Sequence, residues 1–469
     1  MPPQIAAAIC TVGILGLYWL DRDPDSRTSL ALWIPLLWVS LACSRPAATW
    51  LGLAPPDSAE QIMEGSPFDR LVYLGLLIAG MIVLVSRSHR VVTILKNNAA
   101  ILFFFFYCAL SVVWADYPGI SFKRWTKALG DLVIILIVFS DKEPLSAVKK
   151  FLSRPAFLLI PLSMLFIKYY PALGTAYGPW GGPRMNTGVT TDKNTLGSIC
   201  LCFGLGALWR FLSAHADREA KNRTRQLTAQ GVILIMVLWL LWTANSVTSL
   251  SCFLMGSLMI LATRLPFVQR RPAAVHILIA AMLSFSVAVL FFGVSPSTLA
   301  SMGRNPTLTD RTEVWGRLFR LVRNPLIGTG FENFWLGSRL DTLWGMYWWH
   351  PNEAHNGYIE IYLNLGWIGI SLLAVVLIKV YRAAIRSYRA NAPLGSLCLG
   401  YFLVGLAFNF TEAAFFKMLA PVWIFLLFAM VGATAIPGVK IEPSDQDVLI
   451  RPDMVTINRG RQPLRRGVA

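Results

Sequence analysis

What most constrains this chain is a series of apolar runs, each near 16 to 20 residues, separated by mostly short polar connections. A bilayer core about 30 Å thick takes roughly 20 apolar helical residues, and a helix satisfies its own backbone hydrogen bonds in lipid. The runs lie near residues 5–20, 29–44, 71–86, 98–114, 126–140, 155–170, 194–212, 228–244, 246–263, 273–292, 357–380, 394–410 and 419–435. They predict an all-α integral membrane fold, a polytopic bundle of 12–13 transmembrane helices. Only 14% of the residues are charged and the mean hydropathy is +0.55, whereas soluble domains carry about 25% charged residues. An ordinary soluble enzyme is excluded.

The net charge of +17 does not point to nucleic acid, because the basic residues are dispersed in short clusters between apolar runs. One alternate set of connections holds 27 of the 42 Lys and Arg residues and the other set holds 15. Cytoplasmic loops retain positive charge, so the basic set is expected in the cytoplasm. The connections at 45–70, 171–193 and 293–356 then face the periplasm. The expected organisation is transmembrane helices over 1–292 with a periplasmic loop at 171–193, a large periplasmic loop at 293–356, C-terminal helices over 357–435, and a basic cytoplasmic tail at 436–469. That tail lacks periodicity and is expected to be disordered near anionic lipid. The seven cysteines fall in or at the ends of apolar runs with no CxxC pair, and read as small hydrophobes. Met1 to Gln4 lacks the basic region of a cleavable signal, so the first run reads as a retained span.

The 293–356 connection is long enough to suggest function. Asp310 and Glu313 have capping-box spacing, and a helix is expected from about Arg311 to Arg323, ending before Pro325. Val314, Trp315, Leu318, Leu321 and Val322 share one face, with Arg317, Arg320 and Arg323 opposite, an amphipathic pattern suited to a membrane surface. Those arginines read either as a solvated face or as headgroup contacts. Arg311 falls on the apolar side, where a guanidinium needs an anionic partner: a ligand phosphate or a structural carboxylate. The aromatics from Phe331 to Trp349 read either as an interfacial belt or as a platform for sugar faces.

His355-Asn356 stands at the mouth of the next span. Its imidazole suits a general base near neutral pH, or an ordinary polar anchor. In the second loop, Gly181 to Gly188 gives a backbone that approaches a ligand closely. Arg184 there could clamp a phosphate bidentately with Lys193 beside it, or the segment is a plain polar loop. No metal-ligand motif, P-loop or dinucleotide fingerprint is present, and the Asp21 to Asp25 acidic pairs have no globular domain to hold a nucleotide.

His355-Asn356, nine residues, then Gly366-x-x-Gly369 resembles the periplasmic signature of bacterial O-antigen ligases and polysaccharide polymerases. Arg317 to Leu321 resembles the R-x-x-x-L element of the same loop. Gly303 to Trp315 is similar to the exopolysaccharide-polymerase branch, as is Arg184 to Asn194. The resemblance implies a GT-C-like membrane glycosyltransferase of the bacterial inner membrane, with its active loop in the periplasm. It would take a glycan from undecaprenyl diphosphate and pass it to a glycan or to lipid A core, without cofactor or metal. Polysaccharide export or chain-length proteins and membrane lipids are the implied partners. On this reading Arg184 and Arg311, with Lys193 or Arg304 assisting, hold the diphosphate, His355 takes the acceptor proton, and Asn356 fixes the imidazole. Arg317 and Arg320 would contact substrate.

A transporter or flippase is the rival class, expected to show mid-membrane ionisable residues in paired halves. Asp131, Lys168, Glu360 and Glu412 fall near span ends, and no paired halves are visible.

Overall fold

The structure is a computed structural model and describes residues 1–53, 66–177, 182, 184–271, 273–291 and 308–435. All thirteen apolar runs are helical in it. Counting the main helices in chain order, these are α1 (Pro3–Leu20), α2 (Trp33–Ala42), α3 (Pro67–Ser86), α4 (Ser88–Asn97), α5 (Ala99–Leu110), α6 (Pro118–Phe139), α7 (Pro144–Tyr169), α8 (Lys193–Ala216), α9 (Arg223–Ala244), α10 (Val247–Ala262) and α11 (Ala273–Phe291). Then come α12 (Leu308–Arg320), α13 (Ser338–Met346), α14 (Gly357–Ala390), α15 (Ala392–Phe408) and α16 (Pro421–Ala435). Among the described residues six of them, α1, α3, α7, α8, α9 and α14, are long and apolar enough to cross a membrane alone, and α4 with α5, apolar enough together, is bent by 88° into either a broken span or a re-entrant loop. The protein is a multi-pass all-α membrane protein. Several remaining apolar runs form shorter helices; α15 and α16 are buried over nearly their whole length by their neighbours.

Local chemistry sets many of the boundaries. Proline opens α1, α3, α6, α7 and α16, where its missing N–H leaves no intrahelical bond unmade. Asp192 caps α8 by accepting from the backbone of Asn194 and Thr195, both at 2.9 Å. Asn245, in the left-handed region at φ +48°, ends α9 just before α10 begins. A two-stranded antiparallel hairpin, β1 (Thr175–Tyr177) with β2 (Arg184–Asn186), precedes α8.

Hydrogen bonds and ion pairs tie connections together in two groups, one basic and one not. In the basic group, Arg87 pairs with Asp141 at 3.3 Å, Arg210 pairs with Asp21 at 2.9 Å, and the Arg27 amide donates to Glu143. In the other, the Arg45 guanidinium donates to Gly188, Arg339 pairs with Asp116, and the Asn356 amide donates to Phe410. The tail from 436 onward lies outside the described residues.

The helix of the large loop is present but starts earlier than expected, at Leu308, and ends at Arg320. Asp310 therefore sits inside the helix instead of capping it, and Glu313 pairs with Arg317 one turn on at 2.7 Å. Its apolar face is buried against protein. Val314, Leu318 and Val322 form a small core with Phe334, Leu343, Ala354 and Leu363.

This unit docks onto α14 at a break. Gly366 adopts φ +64° and ψ −163° within α14. There the Trp367 amide donates to Pro325 at 2.9 Å and the Ile368 amide to Leu326 at 3.0 Å. In return Thr329 and Gly330 donate to the carbonyls of Leu363 and Asn364. A Cβ on Gly366 would lie 2.4 Å from the Leu326 carbonyl, so both space and backbone conformation demand glycine. Gly366→Ala is expected to cost about 2–4 kcal/mol and lower the unfolding midpoint in detergent. Gly345→Ala, whose added methyl meets open space, should leave it unchanged. Equal midpoints for the two variants would show that the break does not need glycine.

Candidate active site

His355 immediately precedes the cap of α14. Asn356 accepts at its side-chain oxygen from Tyr358 and Ile359, both at 3.0 Å, satisfying amides that open the helix. Its amide nitrogen donates 3.1 Å to Phe410 in the α15–α16 connection. The Gly357 amide donates to Asn409 at 2.9 Å and to Glu412 at 3.1 Å. A Cβ on Gly357 would fall 1.8 Å from the Asn409 side chain, so the two chain segments meet at a distance that only glycine permits. Asn409 in turn accepts from the amides of Ala414 and Phe415, folding its own loop around one side chain.

These contacts place two carboxylates on one imidazole nitrogen. His355 Nδ1 lies 3.0 Å from Glu353 and 3.1 Å from Glu412, while Lys417 Nζ donates to the other oxygen of Glu353 at 2.5 Å. His355 occupies the left-handed region at φ +48°, which costs a non-glycine residue energy and is characteristic of functional positions. Its side chain is 30% exposed, so the cluster is reachable.

Burial disfavours a charged imidazole, but the two carboxylates outweigh it and raise the His355 pKa to about 9. Burial likewise opposes the Glu353 charge, and the hydrogen bonds and charges of His355 and Lys417 more than offset it, holding the carboxyl down at about 2. Burial pushes Glu332 above the usual carboxylate range, with Arg124 and Lys417 opposing. Glu353, His355 and Glu412 offer ligand atoms within 4.8 Å of one another, a spacing that could hold a metal ion. Lys417 and the imidazolium already supply two positive charges there.

Glu360, on the first turn of α14, supports the loop from below. It accepts from Trp335 Nε1 at 2.9 Å and from the Ala354 amide next to His355. Asn364, one turn further, accepts from the amides of Asn333 and Phe334. Phe331 and Phe334 are thereby core residues, whereas Trp348 is 74% exposed.

The other residues singled out from sequence are more scattered. Arg184 is exposed on β2 and Lys193 is half-buried in the first turn of α8; among the described residues neither bonds to the His355 cluster. The α9–α10 corner touches both the hairpin and the Glu412 loop, since Asn186 donates to Thr243 at 3.1 Å and Thr411 donates to Thr248 at 3.2 Å. Arg317 and Arg320 are exposed, Arg317 over the Tyr347 ring. Arg304 lies outside the described residues, and Arg311 is described for its helical backbone only. Asn356 spends its side chain on the helix cap and on Phe410, and the imidazole takes its bonds from Glu353 and Glu412. Sequence reading missed Glu353, Glu412 and Lys417 as partners. The signal available was the E-x-H spacing of Glu353 to His355.

The raised His355 and depressed Glu353 pKa values fix the sign of a pH effect. The imidazolium contributes its full stabilisation below about 6.5 and loses it as pH rises through about 9; Glu353 contributes above about 4.5 and loses its share as pH falls through about 2. The unfolding midpoint is therefore expected to drop between pH 7 and pH 10 more in the wild type than in His355→Gln. An identical drop in both would remove the cluster from the stability of the fold.

The O-antigen ligase family profile matches residues 222–374, a span that includes His355, Asn356, Gly366 and Gly369. The chain is also similar to the exopolysaccharide production protein ExoQ of Rhizobium meliloti (strain 1021), 25% identical over 285 residues. That match covers 59% of this chain and 62% of the relative. The motif, the all-helical membrane fold and these two likenesses agree in making the chain similar to the O-antigen ligase and polysaccharide polymerase family.

Proposed function

We propose that the protein is a membrane glycosyltransferase that moves a glycan from undecaprenyl diphosphate to an acceptor sugar hydroxyl, at the periplasmic face of the bacterial inner membrane. The observation that carries this reading is the imidazole of His355, pinned through Nδ1 by Glu353 and Glu412 inside the family-matched segment. With Nδ1–H engaged, Nε2 is the nitrogen left for chemistry. The acceptor oxygen attacks the anomeric carbon while Nε2 takes its proton, and the bond to the diphosphate breaks, its electrons leaving with undecaprenyl diphosphate. Arg184 and Arg311, assisted by Lys193 or Arg304, hold the departing diphosphate through guanidinium forks in place of a divalent ion. Arg317 and Arg320, exposed on the same loop unit, contact the glycan. The likeness to an exopolysaccharide production protein favours joining of lipid-linked repeats over transfer to lipid A core, and chain-length or export proteins are the natural partners.

A base with a pKa of about 9 is unprotonated in only roughly 1% of molecules at pH 7. Turnover is therefore expected to rise with pH toward about 9. A rate falling over pH 7 to 9 in protein that remains folded would instead make His355 an acid or an anion contact. His355→Ala should lose about 10²–10⁴-fold in turnover while still inserting in the membrane, and Arg311→Lys should lose much of it, because a point charge does not reproduce the bidentate fork.

The direct test is purified protein in lipid, given an undecaprenyl-diphosphate oligosaccharide, lipid A core and EDTA, with products resolved on a gel. A ladder of longer lipid-linked chains is expected. Transfer to lipid A core would make the protein a ligase, loss of product with EDTA would restore a metal to the Glu353–His355–Glu412 group, and movement of donor across the bilayer without product would make it a transporter.

A further inference from the structure

A cavity of about 590 Å³ opens at the end of α14 away from His355, between the α4–α5 bend, α11, α14 and α16. Its size is in the range of small-molecule pockets, roughly 300–1,000 Å³. Lys379, Arg382, Arg386 and Arg389 line one side, at spacings of three, four and three residues along one face of α14. Lys96, from the last turn of α4, lines the other. Among the described residues no Asp or Glu lines the cavity, and none of the five cations has an ion-pair partner. Like charges at this helical spacing repel, so the arrangement lacks the counter-charge that would settle it.

The general excess of positive charge at this end accounts for cations being here, but not for their grouping. Elsewhere at the same end two arginines have single carboxylate partners: Arg87 has Asp141 and Arg210 has Asp21. The α5 N-terminus also borders the cavity, through Ala99 and Ala100, adding the positive end of a helix dipole. The floor is apolar, formed by Val376 and Val380.

We infer that this cavity binds a phosphate-bearing anion. The chemistry shared by the two possible sources, an anionic phospholipid headgroup and a soluble phosphate compound, is a compact multivalent oxyanion that guanidinium and ammonium groups contact together. The site is about 30 Å from the Gly366 break, taking 1.5 Å per residue along α14 from there to Arg386, and is separate from the His355 chemistry.

The test uses the full chain in neutral detergent, titrated separately with phosphatidylglycerol, phosphatidylcholine and inorganic pyrophosphate, following the unfolding midpoint and lipid retention by native mass spectrometry. Saturable binding of phosphatidylglycerol, pyrophosphate or both is expected, with phosphatidylcholine inert. Lys379→Gln/Arg382→Gln/Arg386→Gln should weaken it about tenfold or more, whereas Lys142→Gln/Arg218→Gln/Arg270→Gln, removing equal charge from the same end, should not. Phosphatidylglycerol alone binding assigns a lipid headgroup; pyrophosphate binding assigns a soluble phosphate. Equal weakening by both triple variants, undiminished binding by the cavity variant, or no binding to the wild type overturns the inference. If the cavity triple does not fold, Arg386→Gln alone carries the same comparison.

Discussion

The loop that carries the site stays in place because α14 is broken at Gly366. An interrupted helix at membrane depth frees backbone groups that lipid cannot satisfy, and here the segment Pro325 to Gly330 supplies their partners through four backbone hydrogen bonds. From that exchange the support runs upward: Asn364 fixes the amides of Asn333 and Phe334, Trp335 then meets Glu360, and Glu360 holds the Ala354 amide beside His355. The second glycine of the motif serves the same turn, since a Cβ on Gly369 would lie 2.3 Å from Leu365. The spacing between His355 and the two glycines thus measures the distance from that imidazole to its foundation.

The charges at His355 follow a similar logic from the other direction. Two carboxylates facing one another in a half-buried site would repel and take up protons. Lys417 and the imidazolium hold the Glu353 carboxyl down, and by formal charge the four groups balance. The loop of Glu412 and Lys417 is built around Asn409 and tied to α14 through Asn356 and Gly357. A residue at φ +48° between these fixed points has little freedom to turn away.

Much of this was legible in the chain itself, and the reasons differ by feature. The helices were readable because length and hydropathy are local properties, and each apolar run maps onto a helix. The apolar stripe of α12 was readable from its period; its burial against Phe334 and Leu343 instead of lipid was not, because that depends on where α13 folds back. The ends of α12 were misplaced: it runs from Leu308 to Arg320, and Glu313 pairs with Arg317 one turn on instead of reaching back to the helix start. His355 was visible by its position at a helix mouth. Its partners were not, since Glu412 is 57 residues away and approaches only through the close contact at Gly357, a tertiary event without a local pattern. The glycines looked like motif punctuation, and only the backbone exchange at Gly366 reveals what they do.

The neutrality of the His355 cluster has a consequence for how the work of such a site is divided. A group of two carboxylates, one ammonium and one imidazolium has no surplus positive charge to offer a diphosphate. Whatever holds the departing phosphates therefore has to come from cations outside it. On the proposed reading, the candidates among the described residues are Arg184, on its exposed hairpin, and Lys193 at the start of α8. The corner touches that hairpin through Asn186 and the Glu412 loop through Thr411, so on the proposed reading it would set the separation between proton acceptor and phosphate holder. A base placed directly among those guanidinium groups would lose its proton affinity to their charge. Keeping the two apart, each with its own electrostatic surroundings, lets a basic imidazole and an anion-binding surface serve one reaction.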